Sequence, residues 1–165
     1  MKKFNTIIHI ILWAQLLLIT QASAKSCELT NDALQAMHKT EITIINANQQ
    51  ELSVVVKTAD NNLTRQAGFQ HVCAETIAAQ PILFLFGSPI IPNFHMNNVV
   101  APIDIAFIDQ EGRIESIQAM FPYVLISLSR PLYSPEREVV AALEARPGFY
   151  QENDIEVGDL IIWEK

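Results

Sequence analysis

Residues 94–109 read FHMNNVVAPIDIAFID and bring together side chains suited to chemistry. His95 is a general base or acid in reach of neutral pH, Asn97 and Asn98 offer amide donors and acceptors, and Asp104 is a carboxylate inside an apolar run. A His oriented by a carboxylate is the working pair of many hydrolytic sites. The nucleophile that such a pair would activate is missing: there is no G-x-S-x-G elbow, and Ser127, Ser129 and Ser134 sit in a Pro-rich stretch that nothing ties to His95. Asp104 and Asp109 could serve as the two carboxylates of a glycosidase, but Asp109 is better explained by the Gln110-Glu111-Gly112 turn that follows it. With five glycines in the chain, no phosphate-cradling loop is present.

Two readings of the stretch follow. In one, Asp104 and Asn98 buttress a tight connection between strands. In the other, Met96, Asn98 and Asp104 floor a small polar pocket with His95 at its lip, a ligand-binding set. Either way a carboxylate buried there needs donors, because burying it bare is costly. The nearest in sequence are Asn97, Asn98 and the amides after Pro102.

The two cysteines, Cys27 and Cys73, are not in a C-x-x-C pair, which argues against a thioredoxin-like motif. One disulfide between them would clip the N-terminal segment to the domain and stabilise by about 4 kcal/mol in the chain-entropy model. The rival reading groups Cys73 with His71 and His95 as metal ligands, but a fourth ligand is wanting. No metal and no cofactor is expected.

The elements that must position these residues begin after a leader. Lys2 and Lys3 precede an apolar run over 7–19, and Ala22-Ser23-Ala24 supplies the small residues of a cleavage site. This is the order of a secretory signal peptide, predicted over 1–24, and the run is shorter than the roughly 20 residues that span a bilayer. Cys27 follows the cut, but Lys25 stands where a lipoprotein signal wants a small residue. The expected product is therefore periplasmic or secreted, without membrane insertion after cleavage, with a leader segment over 25–40 and one β-rich domain over 41–165. The whole chain carries 11 basic against 18 acidic residues, net −7, with no basic cluster. Such a surface repels phosphate backbones, so nucleic acid is not an expected partner.

Within the domain, EITIIN (41–46) and ELSVVVK (51–57) are β-branched runs around ANQQ, a hairpin signal. A helix turn or two is predicted near Asp32–His38, capped by Thr30 or Asn31, and a short helix over 60–68, capped by Asp60 and stopped by Gly68. PILFLF (81–86) reads as a buried strand ended by Gly87-Ser88-Pro89, NFHM (93–96) as another, and 102–120 as a hairpin turning at 110–112. EVVAALEA (138–145) suits helix or strand by composition, GFYQEND (148–154) a short helix, and the 155–164 segment ends in a strand. The sum is mainly β (α+β): a compact, partly closed β-barrel-like domain with two or three short helices.

The order TADNNLTRQAGF, ILFLF, FHMNNVVAPIDIAFIDQEGRI, VVAALEARPGFYQENDIEVGDLI resembles the family known as domain of unknown function 192, over roughly residues 40–164. Met96, Asn98, Pro102, Asp104, Phe107 and Gly112 fall at its spacing. Where the family typically has Trp, a basic residue and Thr, this chain has His95, Asn97 and Val99, and Phe69-Gln70 replace its usual Leu-Met. The resemblance implies a small β-rich, often exported domain, a strand at 138–145, and no established activity. The function expected is a non-catalytic module binding a small polar or saccharide ligand, or a partner protein of the cell envelope. The competing classes are a hydrolase of envelope material using His95 with Asp104, and a purely structural accessory.

Overall fold

The computed structural model describes residues 27–123 and 128–164, so the segment 1–24 and Ser127 lie outside the described residues. The chain runs α1 (Asp32–Ala36), β1 (His38–Ile45), β2 (Glu51–Ala59), α2 (Asn62–Ala67), α3 (Ala74–Ala79), β3 (Ile82–Ile90), β4 (Phe94–His95), β5 (Ile103–Ile108), β6 (Ile114–Met120), β7 (Leu132–Tyr133), β8 (Val139–Ala145), α4 (Phe149–Glu152) and β9 (Leu160–Trp163). The fold is mainly β, with a mixed seven-stranded sheet in the order β6-β5-β8-β3-β2-β1-β9 and a separate β4-β7 pair.

Local chemistry sets the turns. Asn46 closes the β1–β2 hairpin, its Oδ1 accepting from the Asn48 and Gln50 amides at 3.0 Å each. Asp109 closes β5–β6 in the same manner, with Oδ1 accepting from Glu111 N at 3.0 Å and Arg113 N at 2.8 Å. Asn31 caps α1. The cap of α2 is Asn61 rather than Asp60: its Oδ1 accepts from Thr64 N at 3.1 Å, and Thr64 Oγ1 accepts from Asn61 N at 3.3 Å, a reciprocal capping box.

β2 and β3 pair in parallel, so the chain between them must cross over the sheet, and α2 and α3 are that crossover. One sheet face, built from Ile82, Phe84, Ile103, Ile105 and Phe107, packs on Leu34, Phe69, Val72 and Ile77 of the helical side. The opposite face carries Ile42, Ile44, Leu83, Ala106, Ile108 and Leu143, covered by Tyr150 and Ile155.

The sheet is not closed into a barrel, which corrects the sequence expectation. Its outer strands β6 and β9 do not pair: the segment before β9 meets the start of β6 at a corner, where Arg113 and Leu160 form an isolated bridge, Ile161 N donates to Gly112 O at 2.8 Å and Ile114 N to Asp159 O at 2.9 Å. β3 also continues through Gly87-Ser88-Pro89 to Ile90 instead of stopping, by way of a register shift between Leu85 and Ile90 against β8.

Cys27 and Cys73 are bonded to each other. Around them Glu28 N donates to His71 O at 2.8 Å and Cys73 N to Glu28 O at 2.9 Å, a short parallel bridge that ties the N-terminal segment to the start of α3. Cys73 in this bond has no thiolate to give a metal. Among the described residues no helix is long and apolar enough to cross a membrane.

Candidate functional site

The residues of the 94–109 stretch divide between the two faces of the sheet. Asp104 alternates with Ile103, Ile105 and Phe107, which belong to the helical-side core. It therefore shares the other face with Ala106 and Ile108. Met96 is 1 % exposed in the helical-side core, against which Phe94 also packs. His95 and Asp104 are thus on opposite sides of a strand layer and do not make a base and its orienting partner.

Asp104 is half-buried, and its donor is not the Asn98–Pro102 connection. Gly148 N donates to Asp104 Oδ2 at 2.7 Å. Gly148 stands at φ +77°, at the start of α4, so the carboxylate holds the turn that leads out of β8. Beside it Tyr150 Oη donates to Leu143 O at 2.6 Å. Asn98 serves a turn as well: it adopts φ +56°, which Asn tolerates better than most residues, and its carbonyl accepts from His71 N at 2.9 Å. Its Nδ2 lies 3.4 Å from Gln70 Oε1. His95 is exposed, with Nδ1 accepting from Asn97 N at 3.3 Å.

Of the four ligand-set residues, His95 alone lines the cleft between α2, β3 and β4, which holds about 240 Å³. Phe84, Phe86 and Phe94 form its apolar wall, with the Phe84 and Phe94 rings edge to face at 5.0 Å. Gly68 ends α2 at φ +47°, and a Cβ there would stand 3.6 Å from the Phe84 ring. Arg65 is on the rim, where Nη1 donates to Asp60 O at 2.7 Å and Leu85 O at 2.9 Å, and Nη2 to Asn62 Oδ1 at 2.8 Å.

The most unusual lining residue is Glu144 of β8. It lies in register between Ile82 of β3 and Ile105 of β5, two members of the helical-side core. The residue is 6 % exposed, and its Oε2 has no hydrogen-bond partner among the described residues. Burial alone pushes its carboxyl up to about 8. At neutral pH the group is largely protonated, so it presents both an O–H donor and an acceptor to whatever enters. A buried polar atom without a partner costs about 1–3 kcal/mol, and a chain keeps such a group for a reason outside packing.

Glu144 was absent from the sequence-derived set, though a signal for it existed. Once VVAALEA is a strand, its only carboxylate falls on an inward face by the period of two. The Phe residues were assigned to strands without a shared wall, which only the β3–β4 approach creates. Among the described residues, no group of three or more His, Cys, Asp or Glu side chains is arranged to hold a metal.

Residues 43–163 match the family described as Uncharacterized ACR, domain of unknown function 192. No curated protein sequence matches the chain. Crystal structures that share the fold include the following two. One, described as a proposed transcription regulator from Sinorhizobium meliloti 1021, aligns with a TM-score of 0.66 and 22 % identity over 77 % of this chain and 95 % of its own. The other, a protein of unknown function from Novosphingobium aromaticivorans DSM 12444, aligns with a TM-score of 0.67 and 19 % identity over 88 % and 99 %.

Proposed function

The chain belongs to the domain of unknown function 192 family, and we propose that it is an exported, non-catalytic module that binds a small polar ligand in the cleft beside α2. One observation carries the reading: Glu144 lines that cleft, and its buried Oε2 has no hydrogen-bond partner among the described residues. A ligand that offers a donor or acceptor to this carboxyl gains a hydrogen bond with it. The apolar wall of Phe84, Phe86 and Phe94 gives the rest of such a ligand a surface to cover. Export is supported by the leader over 1–24 and by the Cys27–Cys73 bond, which persists in the periplasm or outside the cell. The hydrolase reading loses its pair, because His95 of the separate β4-β7 pair borders the cleft while the Asp104 carboxylate accepts from Gly148 N on the other side of the main sheet.

The test is a thermal-shift screen of uncharged, anionic and cationic small molecules, since a ligand of the folded state raises the midpoint by mass action. Hits are then mapped by amide chemical-shift changes. The expected changes cluster at Gly68, Gln70, Phe86 and His95. A screen with no hit, or hits that map to the Asp104–Gly148 side, would sink the proposal.

A further inference from the structure

We propose that the group this cleft recognises is a single protonated amine, seated on the Glu144 carboxylate with its carbon skeleton against Phe84, Phe86 and Phe94. The proposal rests on the reading of the cleft as a ligand site and names the chemistry of its occupant.

Three occupants could satisfy a lone buried carboxyl: a metal ion, an uncharged donor or an ammonium group. A metal needs several ligands, and no set of three or more His, Cys, Asp or Glu side chains gathers there among the described residues. An uncharged donor would complete a hydrogen bond but would leave three aromatic rings against a polar group. An ammonium group on a carbon skeleton uses both features, because the carboxylate completes a charge-assisted bond with it and the skeleton covers the apolar wall. The net charge of −7 also favours the approach of a cation over that of an anion.

The other titratable groups lining the cleft are Arg65 from α2 and His95 from β4. Arg65 is engaged by two backbone carbonyls and Asn62. Neither residue offsets the effect of burial on Glu144. The Arg65 guanidinium at the rim opposes a second positive charge, so the ligand is a monoamine. The paired residues flanking Glu144, Ile82 and Ile105, contribute no charge.

The proton balance is explicit. Free Glu144 holds a proton up to about pH 8; the amine arrives already protonated. On binding, Glu144 releases its proton to solvent and the ammonium N–H donates to the carboxylate. Proton release falls from about one per ligand at pH 6 to about half at pH 8, and the affinity rises about tenfold from pH 6 to 7 and about fivefold from pH 7 to 8.

The experiment is calorimetric titration of the purified protein with benzylammonium at pH 6, 7 and 8, each in two buffers of different ionisation enthalpy. Benzyl alcohol and benzoate are the uncharged and anionic counterparts. The expected result is benzylammonium binding that strengthens with pH and releases a proton, at least tenfold tighter than benzyl alcohol, with benzoate silent. Glu144→Gln should abolish the pH dependence and weaken binding at least tenfold at pH 8. Phe86→Ala, a change at a half-buried wall position, should weaken binding several-fold while leaving the proton release intact. Benzyl alcohol binding equally well at every pH, or benzoate binding more tightly, would overturn the amine and leave the cleft as a ligand site. If none of the three binds and the wider screen is empty as well, both readings fall.

Discussion

Asp104 Oδ2 accepts the Gly148 N–H at 2.7 Å, at a glycine whose φ of +77° puts the chain into α4. The side chain works as a clasp on the β8–α4 turn. Asp104→Ala should therefore lower stability by about 1–2 kcal/mol, as loss of a capping carboxylate does. Asp104→Asn, which keeps an acceptor, should cost about 0.5 kcal/mol or less; urea midpoints of the two variants check the order. If both cost the same, the hydrogen bond is not the source. The need of this carboxylate for a donor was legible in the sequence, from its place among Ile103, Ile105 and Phe107. Its donor was not, because Gly148 is 44 residues away along the chain. Proximity in sequence drew His95, Asn98 and Asp104 into one set, although the alternation of a strand sends Asp104 to the side opposite Met96.

Strands declared themselves through β-branched runs, and their turns through ANQQ, Asp109 and Gly112. What alternation does not encode is which strands lie side by side. β8 inserts between β3 and β5, and β9 lies beside β1, pairings set by complementary faces far apart in the chain. α3 was missed because six residues make under two turns and bury one large apolar side chain, Ile77, too short a stretch for a helical period to appear. Two elements carry predictions. Gly112 has φ +81°, and a Cβ would stand 2.9 Å from the Ile161 carbonyl oxygen. Gly112→Ala should then cost about 1–3 kcal/mol through backbone strain and displacement of β9, seen as faster amide exchange at Ile161, the donor to Gly112 O. The Cys27–Cys73 bond spans 46 residues, and its reduction should lower stability by about 2–4 kcal/mol. The measurement is the melting temperature with and without reductant; an unchanged value would show that the Glu28–Val72 bridge suffices alone.

For the molecule as a whole, the seven strands form one sheet with a cleft-bearing helical side and a second side capped by Tyr150 and Ile155. The expectation of a barrel came from counting strands, and closure depends on where the two outermost ones end up. Glu144 makes the stability of this body depend on pH. Below about pH 4.5 the carboxyl is protonated in both folded and unfolded chains and adds no ionisation penalty. Between 4.5 and about 8 the unfolded chain gives up the proton that the folded chain retains, so stability falls as pH rises. Above about 8 the penalty is complete, on the order of a few kcal/mol. Glu144→Gln removes the titration: the variant should match the parent near pH 4 and melt several degrees higher at pH 9. A parent whose own melting temperature does not fall relative to the variant between pH 5 and 8 would show that the carboxyl is not held protonated.

The pairing of β9 with β1 has a consequence for biosynthesis. A nascent chain makes His38–Ile45 early and Leu160–Trp163 more than a hundred residues later. Until those late residues arrive, β1 has β2 on one side and open backbone donors and acceptors from Ile42 to Ile45 on the other, a template to which any extended chain can add. Chains stalled or clipped before Leu160 carry that open edge, and with it a route to aggregation that β9 closes by pairing with β1.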